Sequence, residues 1–161
     1  MGKVSVQIKL TNQGDLVAVQ RKLSKSKPRV VRAEALVDTG ATRLYLKPSL
    51  IRALGLQMVD GVISQTTFMF VLSKGKPKTL QKVDGVISQT TNGPKKRSVY
   101  EPVRLEVQVR HGDFNVVDVG ESLPNLLGQI PLEYLDFVVD PKNRKLIPNP
   151  EHGDKQMSEE D

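Results

Sequence analysis

The chain contains no cysteine and no tryptophan, and its only histidines are His111 and His152. Disulfides, thiolate nucleophiles and thiolate zinc sites are thereby excluded together. Two imidazoles are too few for a histidine metal site, so neither metal nor cofactor is expected. Aromatic residues make up only 4% of the chain, which leaves few platforms on which nucleic-acid bases can stack. The net charge of +6 favours acidic partners in a general way, but a basic solvated surface is the simpler reading and nucleic acid is not the expected ligand. Long apolar runs are missing too: nothing approaches the roughly 20 residues that a membrane span needs. Residues 1–10 alternate polar and apolar side chains instead of showing a basic start and an apolar core, so no secretory signal is evident. Met1-Gly2 lacks the Ser or Thr that myristoylation wants, since Val6 stands there. The expectation is a soluble, cytoplasmic protein without membrane contact.

What is present points to strands. At 161 residues, with 38% hydrophobic and 26% charged side chains, the chain suits one domain over residues 1–150 followed by an acidic, disordered tail at 151–161. Val4, Val6, Ile8 and Leu10 alternate with polar residues, a half-buried strand. Asn12-Gln13-Gly14-Asp15 reads as a turn, Leu16 to Val19 as the returning strand of a hairpin, and the basic stretch Arg21 to Arg29 as an exposed loop. Val30 to Val37 is the next strand, continued past a turn by Leu44 and Leu46. Pro48 opens a short helix that Gly55 is placed to close. Ser98 to Val109 predicts a strand, His111-Gly112-Asp113 a turn with His111 at its tip, and Phe114 to Val119 the returning strand. A short helix around Pro131 to Leu135, a strand at Phe137 to Val139, a turn at Asp140 to Asn143 and a strand at Lys145 to Ile147 complete the domain.

One feature has no parallel elsewhere in the chain. Residues 56–67, Leu-Gln-Met-Val-Asp-Gly-Val-Ile-Ser-Gln-Thr-Thr, recur as residues 80–91, differing only at Met58 and Lys82. A solenoid needs about three or more such units, so the pair reads as a tandem duplication. It could also build an extended hairpin, with Phe68 to Leu72 facing Leu80 to Ile87.

The chemistry gathers at Ala35-Leu36-Val37-Asp38-Thr39-Gly40-Ala41-Thr42. An apolar strand delivers a carboxylate at its end, and burying such a group is costly unless it is paired, hydrogen-bonded or used. An Asp-Thr-Gly triplet alone is weak, since composition produces one in roughly one chain of this length in thirty. Its setting sharpens it. The run Glu34 to Thr42, the apolar Leu44-Tyr45-Leu46 behind it and Asn125-Leu126-Leu127-Gly128 downstream resemble the retropepsin-like aspartic proteases of retroviral type, and the ending from Phe137 to Pro150 looks like that of short single-domain bacterial members.

That resemblance implies an all-β fold, a closed acid-protease barrel with one or two short helices, each chain supplying half of a site. It implies a homodimeric endopeptidase acting on peptides or proteins, with Asp38 catalytic and paired with Asp38 of a second copy. Thr39 would brace the two chains, Gly40 and Ala41 would border the substrate backbone, and Leu126, Leu127 and Gly128 would pack behind the site. The covering flap would have its tip at Thr90, Thr91, Asn92 and Gly93. Viral members usually carry an acid at the position of Thr42 and an arginine at that of Gln129, and both are replaced here. Two alternatives stand beside the protease: a catalytically silent dimeric binding or assembly module whose flap is spoiled by the duplication, and, more weakly, a nucleic-acid-binding domain resting on clusters such as Lys95-Lys96-Arg97.

Overall fold

The computed structural model describes residues 3–63 and 96–153. The second repeat copy, the hairpin read between Phe68 and Ile87, the flap residues Thr90, Thr91, Asn92 and Gly93, and residues 154–161 of the expected tail lie outside them. In chain order the elements are β1 (Ser5–Asn12), α1 (Gln13–Gln20), β2 (Val30–Val37), β3 (Leu44–Leu46), α2 (Pro48–Leu54), β4 (Met58–Ile63), β5 (Lys96–Val107), β6 (Arg110–Asp118), β7 (Leu126–Leu127), α3 (Gln129–Tyr134), β8 (Phe137–Asp140) and β9 (Lys145–Pro148). No helix among them is long and apolar enough to cross a membrane.

Six strands close on themselves in the order β1-β2-β7-β3-β6-β5, with β5 pairing back to β1 and β4 added outside β5. Closure leaves the barrel without free edges among these six. The β2–β7 and β3–β6 pairs are parallel and the others antiparallel, so the barrel is mixed. The period-2 pattern explains the inside: Ile8 and Leu10 of β1 and Val103, Leu105 and Val107 of β5 are all buried. A second apolar cluster of Ala41, Tyr45, Val99, Val117, Val119 and Leu126 sits beneath the loop that carries Asp38. The helix opened by Pro48 ends, as read from the sequence, at Gly55 in the left-handed region (φ 65°).

Leu16 to Val19 is not a returning strand but part of α1. Four apolar residues in a row fit either state, and the neighbours decide. The Asn12 side chain accepts from Asp15 N at 3.1 Å and caps the helix, and Asp15 stands in its first turn. Asp15 also takes Arg29 Nε and Nη2 at 2.8 and 2.9 Å, which ties the basic loop back to the helix.

The second correction is the turn after β5. Val107 pairs with Arg110, so the hairpin tip is Gln108-Val109, with Gln108 at φ 54° and Val109 91% exposed. His111 and Gly112 therefore lie inside β6. Glycine at 112 answers a packing need: a Cβ there would come within 2.6 Å of the Tyr134 ring.

Residues 151–153, assigned by the sequence to the tail, form a turn held against the body of the domain. Asp136 is buried at φ 58°, its Oδ1 accepts from Asn149 Nδ2 at 3.1 Å, and its Oδ2 lies 2.8 Å from His152 Nδ1. Arg110 Nη1 donates to the carbonyls of Leu135 and Asp136 at 2.8 and 2.6 Å, and its Nη2 donates to that of Gly153 at 3.1 Å. Burial pushes the Asp136 carboxyl up, but hydrogen bonds from His152 and Asn149 and the charges of His152 and Arg110 outweigh it, and the group is held below its ordinary value. Its contribution to stability is thus present above the ordinary carboxylate range and is lost as pH falls through the depressed native value. Thermal unfolding followed from neutral pH down to about pH 2 should show the wild type losing stability more steeply than Asp136→Asn, the two curves converging in acid. Parallel curves would contradict this account of the knot.

Candidate active site

The loop that follows β2 is shaped by its own first residue. Asp38 is buried, with 3% of its surface exposed. Its Oδ1 accepts from Gly40 N at 3.0 Å, and its carbonyl accepts from Ala41 N at 3.1 Å. A carboxylate that binds the backbone two residues ahead turns the chain sharply and fixes its own orientation. Thr39 faces solvent, Gly40 is half-buried, and Ala41 is packed into the cluster beneath.

Behind this loop stands β7, inserted between β2 and β3. Leu36 and Val37 pair with Leu126 and Leu127 on one side, and Leu44 and Tyr45 pair with Leu127 and Leu126 on the other. Asp38 N donates to Leu127 O at 3.0 Å, so the aspartate is bonded directly to the apolar segment that sequence reading placed behind it. Gly128 follows, and its backbone lies flat against the loop: a Cβ there would be 2.4 Å from Arg43 O and 2.8 Å from both Ala41 O and Arg43 N. No side chain fits between these backbones.

The start of α3 completes the clamp. Its N-terminus has no side-chain cap. Instead Gly128 N donates to Arg43 O at 3.0 Å, Gln129 N to Ala41 O at 2.8 Å and Ile130 N to Thr42 O at 2.9 Å. Donors that a helix leaves unsatisfied thus hold the carbonyls of residues 41–43 in place. This was not legible in the sequence, which carries no local signal for a loop capping a helix. Thr42 and Gln129 are neighbours through these bonds, and Gln129 turns its Nε2 along its own helix to Glu133 Oε1 at 2.6 Å. Both side chains are uncharged, so neither leaves an ion stranded.

No family model matches the chain, and no curated protein matches it in sequence. Among solved structures it is similar to the crystal structure of the retroviral protease-like domain of Ddi1 from Leishmania major, at 12% identity and a TM-score of 0.45, covering 93% of this chain and 90% of that one.

Of the residues singled out in the sequence, Asp38, Thr39, Gly40, Ala41, Leu126, Leu127 and Gly128 come together in one place. Thr90, Thr91, Asn92 and Gly93 lie outside the described residues. Among the described residues no group of three or more His, Asp or Glu side chains is close enough to hold a metal ion. Arg97, which sequence reading assigned to a basic surface cluster, is instead half-buried and donates from Nη1 to Asp118 O at 2.9 Å. Burial holds its guanidinium below its ordinary value, against the pull of the nearby Tyr45 and Asp118.

Proposed function

We propose that the chain is an aspartic endopeptidase of the retropepsin type, related to short single-domain bacterial members, in which two copies each contribute Asp38. The observation that carries this is the held, buried carboxylate of Asp38: strand end, turn and β7 all fix its position. The turn needs only an acceptor oxygen at that point, which asparagine would also supply, whereas moving a proton needs an acid.

In the two-chain site, carboxylates a few ångströms apart cannot both ionise cheaply and share one proton. The ionised member takes a proton from a water, the water attacks the substrate carbonyl, and the protonated member supplies the carbonyl oxygen with a hydrogen bond and then a proton. No covalent intermediate forms. Thr39, exposed beside Asp38, is the residue available to brace the second chain, and Gly40 offers a backbone that substrate can approach.

Purified chain should hydrolyse a mixed peptide library in mild acid, and a non-cleavable mimic of the tetrahedral intermediate should inhibit it strongly. A folded dimer that cleaves nothing would overturn the reading. The duplicated segment supports a second reading, a silent binding module. Deleting residues 56–79 decides between them: activity that appears only after deletion means the duplication is an impediment, and activity unchanged or lost means that it is not.

A further inference from the structure

β7 is two residues long, yet it must hold apart β2 and β3, the strands that end before Asp38 and resume after it. Its ladder spans two residue pairs on each flank, and backbone bonds at its ends extend it. On the β2 side Leu36 N donates to Asn125 O at 2.8 Å and Asp38 N to Leu127 O at 3.0 Å, and on the β3 side Gly128 N donates to Arg43 O at 3.0 Å. Asn125, just before β7 and buried, adds one rung to each flank with its side chain. Nδ2 donates to Glu34 O at 3.0 Å, and Oδ1 accepts from Lys47 N at 2.9 Å. A carboxamide has a donor and an acceptor on one planar group, so it continues the ladder as a peptide unit would. Aspartate would keep the acceptor for Lys47 and lose the donor for Glu34. Alanine would leave both backbone groups without this partner.

We propose that Asn125 is a positioning residue for Asp38: its side chain sets the spacing of β2 and β3 at the far end of β7, and through them the direction in which the Asp38 carboxylate is presented. Its effect on rate rests on the protease reading above, while its effect on Asp38 geometry does not. Glu34 and Lys47 meet Asn125 through their backbones only, so the side-chain charges of these two residues play no part in the device.

The test compares Asn125→Ala and Asn125→Asp with Val103→Ala, a core truncation in β5 away from the site that serves as a control for lost stability. Two measurements are made on the full-length protein well below each unfolding temperature: the kinetics (kcat and KM) on a cleaved peptide, and the pH titration of the Asp38 carboxyl followed by its carbon chemical shift. Asn125→Ala should lower kcat by ~10–100-fold with KM changed less than about threefold, and it should displace the Asp38 titration. Asn125→Asp, which keeps the β3 rung, should displace the titration in the same experiment even where the alanine variant does not fold. Val103→Ala should leave kcat and the titration in place. An unchanged titration in both Asn125 variants, or an equal kcat loss in Val103→Ala, would overturn the proposal. If the wild type cleaves nothing, the protease reading fails alone, and the titration still decides whether Asn125 positions Asp38.

Discussion

Asp38→Asn leaves the chain folded and reduces peptide hydrolysis by ~10³-fold or more, the scale expected when the group that moves the proton is lost. Asparagine keeps an oxygen where Oδ1 accepts from Gly40 N, so the turn at residues 38–41 survives the change. In the proposed two-chain site the variant also removes one buried carboxylate from each side of the pair, which relieves repulsion instead of adding it. Unfolding temperature and dimer content should therefore hold or rise while activity vanishes. The measurement is kcat/KM together with thermal unfolding and sedimentation on the same preparation. Activity surviving in the variant would remove Asp38 from the mechanism.

Gly128→Ala is expected to do the opposite and damage both fold and site. The added methyl would meet Arg43 O at 2.4 Å and Ala41 O at 2.8 Å, and both atoms belong to backbone held by the N–H groups of Gly128 and Gln129. No rotamer relieves such a contact, so β7 and the start of α3 must move away from the Asp38 loop. Overpacking of this kind costs about 3 kcal/mol or somewhat more. In a chain of this length that lowers the unfolding temperature by roughly 6–12 °C. The molecules that remain folded should be slow as well, because a displacement near 1 Å at the reacting group costs ~10²-fold in rate. Thermal unfolding and active-site-normalised kcat check both parts. A variant as stable as the wild type would show that the loop is less tightly seated than its contacts indicate.

The parts of this molecule that were legible in the sequence are those that local chemistry dictates. The alternation along β1 and β5, the apolar run of β2 ending at Asp38, and Pro48 with Gly55 around α2 each have a physical cause within a few residues. The seven residues brought together at the candidate site were legible for a different reason, since the triplet and the Leu-Leu-Gly segment resemble a known pair. Where the cause is distant, the sequence was silent or misleading. Leu16 to Val19 fits strand and helix equally, and Asn12 with Asp15 settles it. Gly112 looks like a turn residue but sits in β6, because Tyr134 leaves no room for a side chain there. The binding of α3 to residues 41–43 and the knot of Asp136, Asn149, His152 and Arg110 join segments far apart in the chain, and no spacing announces them.

In the proposed enzyme one site is made from two Asp38 side chains on two copies of the chain. Mixing wild type with Asp38→Asn at constant total concentration, with subunits allowed to exchange, tests it most directly. If each site needs an aspartate from both chains, an equal mixture retains about a quarter of the wild-type activity, because only dimers of two wild-type chains are competent. Sites that work within single chains would instead leave about half, falling linearly with the fraction of wild type, and that result would contradict the account.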